Sequence, residues 1–165
     1  MVKILIFSDA HGDSDAIKRV LEWQQDAEYK ISLGDLEIEE DLLLEHDVIY
    51  VSGNSRHDPG FTDENSVSIH NHKILITHGH KYKVQKNLKR LMSQCKAEHY
   101  SIALYGHTHM ASYQEISGIT FINPGSISRP RNTLPPTYCV LTIDEHGLTC
   151  QYYDAIQNQA ITFNE

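Results

Sequence analysis

Five times along this chain an apolar run ends and a short polar block follows, each pairing glycine with Asp, His or Asn. Asp9-Ala10-His11-Gly12 follows Val2 to Phe7, Gly34-Asp35 follows Tyr29 to Leu33, and Gly53-Asn54 follows Asp47 to Val51. Thr77-His78-Gly79-His80 closes the run Lys73 to Thr77, and Gly106-His107-Thr108-His109 follows Ser101 to Tyr105. Short apolar runs bounded in this way read as buried strands. In open α/β sheets, ligand-binding groups gather beyond the carboxyl ends of strands. The pattern therefore predicts a fold that brings five loops to one rim. Glycine in each loop permits tight turns and close backbone approach.

The elements between the blocks fix the fold class. Asp13 or Ser14 can cap a helix running to about Gln25, with Ala16, Ile17, Val20, Leu21 and Trp23 on or near its buried side. Glu37 to Glu45 reads as a second helix, whose acidic start complements the helix macrodipole. The order β-α-β-α-β indicates a parallel sheet with helical crossovers. Ser66 to His70 and Lys73 to Thr77 then form a hairpin over Asn71-His72, and Val84 to Cys95 reads as a helix. Ala111 to Ile116, Ile119 to Ile122, Tyr138 to Ile143 and Leu148 to Tyr153 alternate as strands, the last two joined by a turn at Asp144 to Gly147. This second half is expected to form a second sheet packed on the first. The fold class is α/β: two packed mixed sheets flanked by helices. With no repeat or linker, one domain is expected over residues 1–165. The shape of a substrate pocket is left to loops such as Ser55 to Asn65 and Arg129 to Pro136.

Composition narrows the function classes. Hydrophobic residues make up 40% and charged residues 22% of the 165, as in ordinary globular chains. The net charge of −8 argues against a basic nucleic-acid-binding face. No run reaches the length of a membrane span. Three widely spaced cysteines, Cys95, Cys139 and Cys150, fit reduced thiols in a cytoplasmic protein better than a disulfide framework or a zinc ribbon. Eleven histidines are many for this length, and the rim blocks hold several of them. Asp9, His11, Asp35, Asn54, His78, His107 and His109 offer carboxylate, imidazole and amide oxygen without thiolate. Mixed N/O sets of this kind suit Mn, Fe, Co, Ni or Zn in catalytic use. Seven ligands exceed what one ion takes, and two ions about 3.5–4 Å apart can clamp the attacking and leaving oxygens of an in-line displacement.

The ordered set D-x-H, G-D, G-N, H-G-H and G-H-x-H resembles the calcineurin-like metallophosphoesterase superfamily. The short length and the late Asn123-Pro124-Gly125-Ser126 are similar to its small bacterial and archaeal phosphodiesterase branch. The resemblance implies one metal held by Asp9, His11 and His109 and a second held by Asn54, His78 and His107. It implies that Asp35 bridges them with a hydroxide that attacks phosphorus. Mn²⁺ is the metal expected first. The implied substrate is a small phosphate ester, a phosphodiester before a phosphomonoester. Nucleic acid is disfavoured as a partner, no membrane is involved, and a homo-oligomer, dimer or tetramer, is allowed. A non-catalytic scaffold on the same fold is the alternative.

One block departs from the pattern. Relatives continue Gly-Asn with a His, or in the small branch with Cys-Asp; this chain has Ser55-Arg56-His57-Asp58. Arg56 could orient a phosphoryl oxygen by charge-assisted hydrogen bonds. His57 could protonate the leaving oxygen, and His80 is a further candidate for that role. Asn123 to Ser126 reads as a turn that shapes the loop beside His107 and His109. His46, His70, His72, His99 and His146 follow no block and read as surface residues; Tyr82 and Arg129 could line a substrate cleft, but a plain surface role is the first reading for both.

Overall fold

In the computed structural model, residues 1–58 and 62–162 are described. Residues 59–61, within the Ser55 to Asn65 loop, and residues 163–165 lie outside them. Strands β1 (Val2–Phe7), β2 (Tyr29–Ser32) and β3 (Val48–Tyr50) alternate with helices α1 (Ser14–Trp23) and α2 (Asp41–Glu45). The hairpin β4 (Glu64–Ile69) and β5 (His72–Thr77) comes next, then helix α3 (Lys89–Glu98) and β6 (Ile102–Leu104). Strands β7 (Ala111–Ile116), β8 (Ile119–Pro124), β9 (Thr137–Asp144), β10 (Gly147–Asp154) and β11 (Ala160–Ile161) complete the order.

Side chains of a strand point alternately to its two faces, and β1 uses both. Ile4 and Ile6 join Ile31, Ile74, Ile102 and Leu141 in a core between two sheets. Leu5 and Phe7 pack instead against Ala16, Ile17, Val20 and Leu21 of α1 and Leu43 of α2. On the far sheet, Leu75, Ala103 and Phe121 meet Leu91 and Cys95 of α3. Helices thus cover the outer faces of two sheets that share an inner core. Each fully buried Ile or Leu contributes roughly 1.5–3 kcal/mol. The Asp13 carboxylate caps α1 by accepting from Ala16 N–H at 2.9 Å, a contact worth about 1 kcal/mol.

One sheet has the order β11-β10-β9-β1-β2-β3, with β1, β2 and β3 parallel. The other has the order β4-β5-β6-β8-β7, with β5, β6 and β8 parallel. Both are mixed. The expectation that the whole second half forms the second sheet needs correction, because β9, β10 and β11 return to the first. β9 lies antiparallel on β1, pairing Ile6 with Cys139 and Ile4 with Leu141. Cys139, Leu141 and Ile143 enter the shared core, while Tyr138 and Val140 face the helices. The strand Ala160–Ile161 was not anticipated.

Two helices also differ from expectation. α2 begins at Asp41, not Glu37. Glu37 has φ +54°, which no α-helix accommodates. The Asp58 carboxylate accepts from the N–H groups of Asp35, Leu36 and Glu37 and so offers this backbone an alternative to a helix. α3 begins at Lys89 rather than Val84, after a 3₁₀ turn at His80–Tyr82 and a left-handed Lys83. Among the described residues, no helix is long and apolar enough to cross a membrane.

Candidate metal centre

The five loops leave β1, β2, β3, β5 and β6, and hydrogen bonds hold them against one another. Asp9 N–H donates to Gly34 O at 3.0 Å, His11 N–H to Asp35 O at 3.0 Å, and Gly12 N–H to Leu36 O at 2.8 Å. These bonds join the first two loops. They support a backbone that non-glycine residues rarely adopt: φ is +55° at Asp9, +45° at His11, +51° at Asp35, +70° at His107 and +59° at His109. Each such conformation costs on the order of 1–3 kcal/mol and persists only where the surroundings over-determine it. Two glycines are required by contact. A Cβ on Gly53 would overlap the Asp35 carboxylate, and one on Gly106 would stand 2.8 Å from Asp9 Oδ2.

The imidazoles are oriented by their outer nitrogens. His78 Nδ1 lies 2.6 Å from Leu33 O and His109 Nδ1 lies 2.7 Å from Arg129 O. A carbonyl only accepts, so both Nδ1 atoms carry the proton and both Nε2 atoms present a lone pair. His11 Nδ1 sits 2.7 Å from Glu37 Oε1, which favours the same tautomer. The three Nε2 atoms converge on two carboxylates. Asp9 Oδ1 is 3.2 Å from His109 Nε2, 3.9 Å from His11 Nε2 and 4.0 Å from His78 Nε2. Asp35 Oδ2 is 3.4 Å from His78 Nε2 and 3.9 Å from His11 Nε2.

With the rings neutral, this convergence lacks protons. His11 Nε2 and His109 Nε2 are 3.1 Å apart, and His78 Nε2 is 3.0 Å from Asn54 Oδ1. With the tautomers above, each is a contact between two lone pairs. Asp9 Oδ1 is buried with no hydrogen-bond partner, whereas Asp9 Oδ2 accepts from Ser8 Oγ at 2.6 Å and His107 N–H at 3.1 Å. An unpartnered buried carboxylate oxygen among lone pairs is costly, and a divalent cation with N/O preference relieves all of these contacts together. Two groups have ligand atoms close enough to share an ion: Asp9, His11 and His109, and Asp9, Asp35 and His78. Without a cation, a proton takes part of that role. Burial pushes the His78 imidazole down, but the Asp35 hydrogen bond and the Asp9 and Asp35 charges outweigh it and raise its pKa. Burial pushes Asp35 up, yet its hydrogen bond and charge interaction with His78, the Ser55 N–H bond at 2.8 Å and His11 hold it well below the usual carboxylate range.

Asp9, His11, Asp35, Asn54, His78 and His109 are therefore drawn together. The His107 ring stands beside them, 5.2 Å from the His78 ring, and burial, then the His78 charge, lower its pKa. His80 lies 5.4 Å from His78 and 6.2 Å from His107, ring to ring. Its Nδ1 is buried without a partner, and burial lowers its pKa. Arg56 is exposed. His57 lines a cavity of about 830 Å³ with Gly12, Lys18 and Glu37, on the outer side of His11. Among the described residues, neither side chain hydrogen-bonds or ion-pairs with the converging groups.

The sequence reading missed several supports. Glu37, assigned to a helix start, is the partner of His11. Asp58 also accepts from Gly53 N–H and so joins the second and third loops. Ser126 Oγ and Ser128 Oγ donate to Asp9 O at 2.6 and 3.2 Å. Asn123 and Pro124 end strand β8 instead of forming the turn read from the sequence; Asn123 Nδ2 donates to Gly106 O and Thr108 Oγ1, both at 3.0 Å, and so still braces the loop that carries His107 and His109.

Known proteins share both sequence and architecture. Residues 2–146 match the calcineurin-like phosphoesterase superfamily domain. The chain is 28% identical to the probable metallophosphoesterase YsnB of Bacillus subtilis, over 96% of this chain and 94% of that protein. It is 29% identical to the phosphodiesterase YfcE of Escherichia coli, over 87% of this chain and 89% of that one. A solved Streptococcus pneumoniae structure, described as a predicted phosphoesterase, superposes with TM-score 0.86 at 30% identity, covering 94% of this chain and 90% of its own. Vacuolar Protein Sorting 29 of Cryptosporidium parvum, at TM-score 0.78 and 21% identity over 97% and 94% of the two chains, shares the fold alone.

Proposed function

We propose, from the premise that the chain belongs to the calcineurin-like phosphoesterase superfamily, that it hydrolyses phosphodiesters with two divalent cations, Mn²⁺ first among them. The observation that carries this reading is the convergence of the His11, His78 and His109 Nε2 atoms on Asp9 and Asp35. Asp9, His11 and His109 would hold one cation, and Asn54, His78 and His107 the other, with Asp35 shared. Such cations, when bound, supply positive charge to phosphoryl oxygens and a hydroxide nucleophile near neutral pH.

The chain's own groups do the rest. Leu33 O, Arg129 O and Glu37 fix three imidazoles as Nε2 donors before any ion arrives, which lowers the reorganisation needed on binding. Asn54, with its Oδ1 committed, keeps an Nδ2 that can donate to a phosphoryl oxygen. Of the three candidates for the leaving oxygen, His80 is the one beside the cluster. Burial, then the neighbouring His78, lowers its pKa and so favours the neutral ring. A cytoplasmic setting fits the three unpaired thiols.

The test is hydrolysis of bis-p-nitrophenyl phosphate. Metal-stripped protein should be inactive and regain turnover with Mn²⁺, and p-nitrophenyl phosphate should be cleaved less efficiently. Metal-saturated protein that cleaves no aryl phosphate would leave the scaffold reading in its place.

A further inference from the structure

We infer that Arg129 is an anion-gripping residue of this rim, which holds a phosphoryl oxygen of the substrate and of the inorganic phosphate set free from monoesters. The inference rests on the phosphoesterase reading above and adds a residue that none of the five sequence blocks contains.

Three observations place it. First, the Arg129 backbone is pinned on both sides. Its N–H donates to Ser126 Oγ at 2.7 Å, and its carbonyl accepts from His109 Nδ1 at 2.7 Å. The same Ser126 hydroxyl donates to Asp9 O. The base of this side chain is thus tied to two proposed ligands, unlike an ordinary surface arginine. Second, the side chain returns across the rim. Nη2 lies 3.4 Å from His11 O, and the guanidinium charge is felt by Glu37, the partner of His11. Third, the guanidinium is not consumed. Among the described residues no carboxylate lies within ion-pair distance of it, and of its five N–H donors the His11 carbonyl occupies one. A guanidinium presents its donors as a fork suited to two oxygens of a phosphoryl group. The residue is exposed, so an incoming anion meets it without displacing protein.

The neighbouring cations do not share these features. Arg56 and Arg131 are both exposed, and neither side chain makes a hydrogen bond or ion pair among the described residues. Arg131 touches the rim only through its backbone, N–H to His109 O at 3.1 Å. Arg131 is therefore the control: two positions along the chain from Arg129, equal in charge, and without the side-chain contact.

The experiment uses the full chain loaded with Mn²⁺ and compares wild type with Arg129→Gln, Arg129→Lys and Arg131→Gln. Two quantities are read: steady-state kinetics on bis-p-nitrophenyl phosphate, and binding of inorganic phosphate by calorimetry. Arg129→Gln should raise KM and weaken phosphate binding about tenfold, as for loss of a partly solvated charge-assisted hydrogen bond. Its kcat and its metal stoichiometry should stay within about twofold of wild type. Arg129→Lys should recover part of the phosphate affinity, and Arg131→Gln should match wild type. Unchanged KM and phosphate affinity in Arg129→Gln would overturn the inference. So would an equal effect from Arg131→Gln, which would mean net charge alone, or loss of metal in Arg129→Gln, which would mean a structural role through the His109 loop. If the wild type bound phosphate but cleaved no ester, the phosphoesterase reading would fail while the calorimetric arm still judged Arg129.

Discussion

Both ends of the sandwich carry histidines, but in different states. At the strand-end rim, His11, His78 and His109 each commit Nδ1 to a fixed acceptor and turn Nε2 inward. At the other end, the tips of the β4–β5 and β9–β10 hairpins bring His70, His72 and His146 beside Asp144 and Glu145, lining a cavity of about 480 Å³. There His72 bonds Ser101 Oγ at 3.1 Å, and His146 is an exposed neighbour of Glu145. No three ligand atoms at that end lie close enough to share an ion among the described residues. The residue types are the same in both places. The difference lies in burial and aim: the rim rings are held from behind by backbone carbonyls or Glu37 and turn Nε2 onto two buried carboxylates, whereas His146 meets only an exposed Glu145, so proximity of histidines alone does not make a site.

The strongest way to break this contrast is to remove a ligand. Asp35→Asn keeps the shape and removes the charge between His78 and His11. We expect loss of at least one metal equivalent by elemental analysis and a fall in kcat/KM of roughly a thousandfold or more. Retention of both would mean the rim is no more a metal site than the hairpin end. Asp58→Ala should come next. Its carboxylate takes the N–H groups of Asp35, Leu36, Glu37 and Gly53. Losing it should cost about 3 kcal/mol in chemical denaturation, because several donors are left without an acceptor. It should also weaken metal binding by loosening two loops. A stability within about 0.5 kcal/mol of wild type would show that water replaces the carboxylate freely.

The rim was legible in the sequence because each block is local. A strand end, a glycine and a ligand residue lie close together in the chain, and chemistry and geometry are written together. The supports were not, because they act across the chain. Asp58 serves a backbone 21 to 23 residues before it, and nothing in Ser55-Arg56-His57-Asp58 names that target. Glu37 was misread for a related reason. An acidic run suits a helix start by propensity, but the left-handed φ of Glu37 is imposed by contacts with the third loop. Strand alternation likewise predicted β9 and β10 as strands and could not say which sheet they would join. The partner was decided by Cys139, Leu141 and Ile143 fitting the inner face beside β1.

Glu37 tests the contrast more finely, since of the three outer acceptors at the rim it is the one supplied by a side chain. Glu37→Ala should lower Mn²⁺ affinity by about tenfold, near the low end for a group that orients a ligand, because the carboxylate is still partly solvated. Glu37→Gln keeps an acceptor oxygen for Nδ1–H and should lose less. Competition with a fluorescent chelator would read both. Equal losses in the two variants would point to charge, not orientation, as what Glu37 contributes.

The smallest effect is expected at the hairpin end itself, where the contrast requires almost none. His70→Ala with His146→Ala removes two of its three imidazoles from exposed positions. Exposed substitutions away from caps, cores and paired charges stay within about 0.5 kcal/mol. The double variant should therefore keep its stability, its metal stoichiometry and its kcat/KM within about twofold. The result is informative because the end has the raw material of a site: imidazoles, carboxylates and a cavity. A drop of one metal equivalent in this variant, with rim activity intact, would show that mobile side chains at two hairpin tips can gather an ion without buried acceptors behind them. The rule drawn from the rim, that an outer acceptor must fix each ring first, would then describe catalytic placement of metals rather than metal binding as such.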